Sequence, residues 1–428
     1  MEQQVTRKGY KQTELGEIPE DWETVSLKNI SGGVSVGLVI NPSSYYSSRG
    51  TVPMLVGSHV KPNSIRSQDA NKISEESNET LRASRLRAGD LVTVRVGEPG
   101  ITAVIPPELN NCNCASMMIV RQSDRFDSEW LCATMNSRIG ISQIEHVQYG
   151  TAQKQFNISD AVDFLYPFPP PSEQTAIANA LSDVDNLITS LEKLIAKKRA
   201  IKTATMQQLL TGKTRLPGFD KHPNGKPKGM QQTELGEIPE DWDLKPFAEI
   251  VTLMNKRINP KIKGGGDLCI ELEHVEQRVG RLNGSIRTTS HSSLKNAFSE
   301  EDVLFGKLRS YLRKYWVADM CGVCSTEFWV LRANSDAATS QFVFQTVQTE
   351  KFIECTTESY GTHMPRSDWK VVRSFLVATP NVVEQTAIAD VLSNMDKELD
   401  ALTQRLNKTQ QIKQGMMQEL LTGRTRLV

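Results

Sequence analysis

Between residues 173 and 212 the apolar positions Ile177, Leu181, Val184, Ile188, Leu191 and Ile195 step by 4, 3, 4, 3 and 4. The stretch from 384 repeats the same steps at Ile388, Leu392, Met395, Leu399, Leu402 and Leu406. This alternation is the a/d seam of a coiled coil, and it predicts two long helices. Neither stretch contains proline, while Pro169–Pro171 and Pro380 stand just upstream. Ser172 is the candidate cap of the first helix and Asn381, less tightly placed, of the second. Gly212 and Gly423 stand where a helix ends in a left-handed residue. The seam is strict only in its first half, because Ile201 and Ile412 follow six residues after Ile195 and Leu406. About 38 residues of helix measure roughly 57 Å.

Elsewhere the pattern changes to short apolar runs separated by Gly, Asp and Pro, which reads as strands. They fall at Val34–Ile40, Val52–Val56, Leu91–Val96, Ile101–Ile105 and Met117–Val120, then at Leu268–Leu272, Val303–Phe305, Tyr315–Ala318 and Phe328–Leu331. Short helices are predicted at Ser128–Asn136 and Ala338–Thr349. Each strand-rich segment is long enough to fold alone as an α+β domain.

The chain is a tandem repeat. Gln12–Trp22 returns unchanged at Gln232–Trp242, and Glu173–Ala178 returns at Glu384–Ala389. Across 173–216 and 384–427, 22 of 44 positions are identical, including the closing Leu-Leu-Thr-Gly-(Lys/Arg)-Thr-Arg-Leu. Two copies of some 210–220 residues make a duplicated module rather than a solenoid. Between the shared blocks, 23–170 and 243–380 have little in common. Shared sequence suits a common framework, and private sequence suits two different specificities. The predicted plan is a first domain over 1–172, a helix over 173–212, an exposed linker over 213–231, a second domain over 232–383 and a second helix over 384–428. Each helix could pack on its own domain or pair with the other copy; their equal phase favours pairing, and an antiparallel pair would put the two domains at opposite ends.

Composition narrows the function. The 428 residues hold 50 Lys+Arg and 50 Asp+Glu, which argues against a binder that relies on bulk positive charge. No apolar run is long enough to span a membrane, and the polar Met1-Glu2-Gln3-Gln4 start lacks a signal-peptide pattern, so the cytoplasm is the expected compartment. Seven cysteines do not suggest a disulfide framework. Neither Cys112-x-Cys114 nor Cys321-x-x-Cys324 has the second pair that zinc wants, so no metal is expected. There is no phosphate-binding Gly-x-x-x-x-Gly-Lys-Ser/Thr and no Asn/Asp-Pro-Pro-Tyr/Phe tetrapeptide of amino-methyltransferases. Catalysis by this chain is not expected.

Positive charge is nevertheless gathered locally. Lys307, Arg309, Arg313 and Lys314 interleave with Tyr311, Tyr315 and Trp316, and Lys256 and Arg257 lie close to Lys261 and Lys263. In the first half Lys61, Arg66, Arg82, Arg85, Arg87 and Arg95 form a looser set, and Gln153, Lys154 and Gln155 follow Gly150-Thr151. Forked Gln, Asn and Arg groups read base edges, and Lys and Arg hold phosphates. A solvated surface would show the same clusters, and composition does not separate the two.

The whole pattern resembles the specificity subunits of type I restriction–modification enzymes. The residues that carry it are Leu-Gly-Glu-Ile-Pro-Glu-Asp-Trp at 15–22 and 235–242, Glu-Gln-Thr-Ala-Ile-Ala at 173–178 and 384–389, and the two helix-closing motifs. Ala88–Val92, Ala103–Ile105, Glu301–Arg309, Ser325–Phe328, Gly150–Gln153 and Gly361–His363 add to it. The resemblance implies a fold of two mixed α/β target-recognition domains joined by two long helices in an antiparallel coiled coil. It implies a non-catalytic chain that reads a bipartite site in double-stranded DNA, one half per domain. The implied partners are two modification subunits, which use S-adenosylmethionine to methylate adenine, and motor–nuclease subunits, which use ATP and magnesium. Within it, the candidate DNA contacts are Tyr45, Tyr46, Lys61, Arg95, Gln153, Lys154 and Gln155 in the first domain, and Lys256, Arg257, Lys307, Arg309, Tyr311, Arg313, His363 and Arg366 in the second. A stand-alone bipartite DNA-binding regulator and a coiled-coil protein scaffold are the competing readings.

Overall fold

The structure, a computed structural model, describes residues 7–151, 153–357 and 365–427. The predicted long helices are α1 (Pro171–Leu210) and α2 (Val382–Leu420). The chain forms two compact units, one of Met1–Glu192 with Arg405–Val428 and the other of Lys193–Gln404. Each unit therefore holds part of both long helices.

Unit 1 opens with a hairpin in which Tyr10–Thr13 pairs with Gly16–Pro19. Next, Glu23–Ser26 pairs antiparallel with Leu165–Phe168, which brings the two ends of the private segment together and delivers the chain to α1. Between them lies an antiparallel sheet in the order 102–104, 91–94, 117–120, 34–36, and a smaller sheet in the order 113–114, 52–55, 72–73. Helices Ser128–Asn136 and Arg138–Val147 cover the apolar core around Trp130, Leu131 and Phe156. Unit 2 repeats the scheme with Met230–Thr233 against Gly236–Pro239, and Asp243–Pro246 against Leu376–Thr379. Its sheets run 251–254, 328–333, 303–306, 315–317, and 257–258, 295–298, 322–325, 265–270, 286–289. Helix Ser340–Val347 lies within the stretch predicted as helical.

The predicted seam residues are all buried or half-buried, and Ile201 and Ile412, after the phase slip, are exposed. The helix starts differ from expectation in one respect. Ser172 lies inside the first turn of α1, which begins at Pro171 and takes Pro170 as its cap; Gln174 N–H donates to the Pro170 carbonyl at 3.0 Å. Proline suits that first position because its missing N–H would be unpaired anyway. Asn381 does cap α2, its side chain accepting from Glu384 N–H at 3.0 Å.

The shared blocks meet in each unit around one buried carboxylate. In unit 1, Glu173 accepts from Trp22 Nε1 (2.9 Å), Arg426 Nε (2.7 Å) and Arg426 Nη2 (2.8 Å). Arg426 also grips Asp21 with both terminal nitrogens and lies over the Trp22 ring. In unit 2, Glu384 accepts from Trp242 Nε1 (3.1 Å) and from Arg215 Nε and Nη2 (2.6 and 2.7 Å), and Arg215 grips Asp241 and covers Trp242. The next residue holds the private domain. Gln174 accepts from Asp127 N–H, and Gln385 from Thr339 N–H, and these are the capping residues of the helices at 128 and 340. The repeated Glu-Gln pair thus ties each long helix to the hairpin on one side and to the private domain on the other. Gly212 and Gly423 have φ near +69° and +68°, and a Cβ on them would meet the rings of Pro239 and Pro19 at 2.4 and 2.5 Å. Only glycine fits both demands.

A second matched pair lies further along. Lys413 of α2 reaches Asp185 of α1 at 2.5 Å in unit 1, and Lys202 of α1 reaches Asp396 of α2 at 2.6 Å in unit 2. Asp185 and Asp396, like Lys202 and Lys413, are equivalent positions of the repeat. Asn63 bonds Asp185, and Gln348 accepts from Lys202, so each pair also touches its private domain.

Removing one partner of a buried ion pair strands the other charge, at a cost of about 3–5 kcal/mol. Arg426→Met is therefore expected to destabilise unit 1 by about that much in urea unfolding. Hydrogen exchange should then quicken in 7–192 and 405–427 while protection in 193–404 is retained.

Burial raises the Asp241 carboxyl, but hydrogen bonds from Arg215 and Lys228 outweigh it and hold it at about 2. A carboxyl lowered by folding contributes stability above its unfolded pKa and loses it as pH falls to the folded value. Unit 2 is therefore expected to lose stability from about pH 4 downward to about pH 2. The urea midpoint of Asp241→Asn, measured over the same range, should fall less steeply than that of the unaltered chain.

Candidate nucleic-acid interface

In unit 2 the strand at 257–258 pairs with 295–298, and Lys307 follows the strand ending at Gly306. This brings Arg257 and Lys307 to one cleft of about 560 Å³. Asn255, Ser293, Asn296 and Thr326 supply its other polar groups, and Phe328 and Trp329 its apolar wall. Arginine, lysine and carboxamides around an aromatic wall can grip phosphate and present forked groups to base edges. Lys256 is exposed beside the cleft.

The neighbouring turn holds Arg309 and Tyr311. Arg309 adopts φ 52°, ψ 55°, and Arg313 φ 54°, ψ 53°, on either side of a one-turn helix at Ser310–Leu312. Two left-handed non-glycine residues cost about 1–3 kcal/mol each. They are pinned by Arg309 N–H to the Pro365 carbonyl (3.0 Å) and by Arg278 N–H to the Arg313 carbonyl (2.8 Å). The reversal separates the predicted cluster. Arg309 is exposed, with no carboxylate partner among the described residues, and Tyr311 is half exposed. Arg313 instead pairs with Glu350, and Lys314 Nζ donates to the Leu272 carbonyl at 2.6 Å. Arg366 joins the Lys307–Arg309 side through a bridge to Leu308, but Glu327 holds its guanidinium with two bonds of 2.9 and 3.0 Å. His363 lies outside the described residues.

In unit 1 the candidates fall in three places. Val96-Gly97 pairs with Lys154-Gln155, so Arg95 stands at the Gln155 end of this pairing. Lys61 sits on a tight hairpin with Ser64 whose turn residue, Asn63, is bonded to Asp185 of α1. Tyr45 and Tyr46 are half-buried against the core of Val52, Met54, Ile73 and Ala115. A larger cleft of about 790 Å³ is lined by Glu108, Asp124, Asp127 and Glu129 with Arg125 as its cation, the wrong balance for a phosphate backbone.

Asn296 escaped sequence reasoning because its place in the cleft depends on pairing with Arg257, 39 residues upstream. The charged residues of the helix pairs, Asp185, Lys202, Asp396 and Lys413, carried a signal: they recur at the repeat offset although their surroundings diverge. Cys321 is exposed, while Cys112, Cys114 and Cys324 are buried, and burial pushes the Cys112 thiol up to about 12. Among the described residues no group of three or more His, Cys, Asp or Glu is placed to hold a metal. No described helix is long and apolar enough to cross a membrane.

Residues 239–414 match the family described as Type I restriction modification DNA specificity domain. The chain is 22% identical over 431 residues to the type I restriction enzyme MjaVIII specificity subunit of Methanocaldococcus jannaschii, covering 96% of this chain and 94% of that one. It is 24% identical over 288 residues to the EcoDI specificity subunit of Escherichia coli, 63% of each. The chain is thus similar, over nearly its whole length, to type I restriction–modification specificity subunits. Its fold is also that of the type I restriction–modification S subunit from M. genitalium, with a TM-score of 0.56 at 15% identity, covering 93% of this chain and 96% of that one.

Replacing Glu327 by Gln frees Arg366 on the cleft side. Affinity for a duplex of arbitrary sequence is expected to rise at low salt. The slope of log K against log salt should steepen by about 0.9, one further phosphate contact.

Proposed function

We propose that this chain is the non-catalytic DNA-reading subunit of a type I restriction–modification complex. Each private domain reads one half of a bipartite site, and α1 and α2 pair as an antiparallel coiled coil that sets the spacer. The observation that carries the proposal is the matched set of shared residues, Glu173/Glu384, Arg426/Arg215, Asp185/Asp396 and Lys413/Lys202, holding two unlike domains in like manner. A duplicated mount with unlike readers is what a split, asymmetric DNA sequence requires. Half-sites one duplex turn apart lie about 34–36 Å from each other, a distance only a stiff connection can fix. Two modification subunits dock along the helices and methylate adenine with S-adenosylmethionine. Motor–nuclease subunits add ATP- and magnesium-dependent cleavage. Those cofactors belong to the partners.

Mapping methyladenine across the genome in cells with and without this chain tests the reading. A split motif is expected only when the chain is present. Inserting four residues after Ile201 is expected to lengthen the spacer of that motif and leave both half-sites unchanged. A spacer of the original length would overturn the ruler, and a methylation pattern indifferent to the chain would favour a regulator or a scaffold.

A further inference from the structure

Three of the four most exposed large apolar side chains among the described residues stand on one kind of loop. Ile262 is 86% exposed, Val39 66% and Ile40 54%. The loops share a motif although they lie in the private segments, with the exposed apolar side chains before the proline in unit 1 and after it in unit 2. Each carries Ile-Asn-Pro, as Ile40-Asn41-Pro42 in unit 1 and Ile258-Asn259-Pro260 in unit 2. In each the asparagine side chain accepts a backbone N–H two residues on, from Ser43 at 3.0 Å and from Lys261 at 3.1 Å. In each the proline opens a single helical turn, Pro42–Tyr45 or Pro260–Lys263. Proline fixes φ and the asparagine fixes the turn, so both loops are stiff tips. A stiff tip holds its apolar side chain outward instead of letting it fold back.

The charge around the tips identifies what covers them. No Asp or Glu occurs between Glu23 and Asp69, or between Glu249 and Asp267. The first stretch holds Lys28, Arg49, Lys61 and Arg66, and the second Lys256, Arg257, Lys261 and Lys263. Asp267 engages Lys263 at 2.6 Å, while Lys261 has no carboxylate partner among the described residues. Arg257, five residues before Ile262, lines the unit 2 cleft. An apolar point flanked in the chain by more cations than acids complements a polyanion with apolar groups inside its groove. Duplex DNA offers phosphates outside, with thymine methyls and base faces within.

We propose that these two loops are base-contacting tips, with Ile262 pressed on bases of the half-site read by unit 2 and Val39–Ile40 on those of the half-site read by unit 1. This rests on the DNA-reading role proposed above and adds an apolar contact to its polar ones.

The test uses the full-length chain, purified with the subunits it carries, and a synthetic duplex bearing the split motif from the methyladenine map. Ile262→Ala, and separately Val39→Ala with Ile40→Ala, are expected to bind that duplex about tenfold more weakly. The salt slope should stay unchanged, because no phosphate contact is lost. In cells each variant should relax methylation at one half-site only, a different one for each. Unaltered binding and an unaltered map for Ile262→Ala overturn the proposal while leaving the DNA-reading role in place. So does loss of a methyltransferase subunit from the purified complex without DNA, which would make the tip a protein contact. If no split motif depends on the chain, the DNA-reading role falls and this proposal falls with it.

Discussion

A carboxylate taken out of water has to be answered by a cation, and this molecule sets that demand twice, at Glu173 and Glu384. Each is the third residue of a long helix, and each meets an arginine that follows the end of the other long helix. Because the guanidinium is planar and forked, it satisfies the glutamate, a hairpin aspartate and the face of a tryptophan together. Hairpin, helix start and helix end become one rigid junction. The neighbouring glutamine carries that rigidity into the private domain by holding the capping residue of one of its helices. The buried charge adds direction to the apolar contacts that bring these segments together.

This arrangement separates what must stay constant from what must differ. The junctions and the Asp–Lys pairs of the helices are repeated residue for residue, while sheet order, loop length and surface charge change freely between the units. The balance of 50 cations and 50 anions is explained in the same terms. Part of the charge is occupied inside junctions and helix pairs, as at Arg215, Arg426, Lys202 and Lys413. Among the other cations, Lys256, Arg257 and Lys261, and again Lys307 and Arg309, fall close together in the chain of unit 2. Overall neutrality therefore says little about how charge is arranged on any one surface.

The sequence made the helices, the repeat and most strands legible, because those depend on neighbours within one or two turns. It also located the helix ends at Gly212 and Gly423 and the cap at Asn381. Ser172 misled because a proline can occupy the first helical position as well as precede it. What stayed hidden depends on partners far away in the chain. Glu173 looks like an ordinary first-turn acid until Arg426 is placed against it. Arg313 and Lys314 look like neighbours of Arg309 in a single basic patch. The left-handed residues at 309 and 313 turn the backbone so that one arginine faces water while the other two side chains face Glu350 and the Leu272 carbonyl. Such reversals leave no periodicity to read.

The junction at Glu173 also bears on how the molecule is made. Its arginine is translated 253 residues after the glutamate, whereas every segment of unit 2 falls in one uninterrupted stretch, 193–404. Domains commonly fold in the order in which they are synthesised. Here unit 2 can close while unit 1 still lacks 405–428. Residues 1–192 must hold Trp22 and a solvent-seeking Glu173 unlatched through that interval, so the unit that is started first is the one finished last.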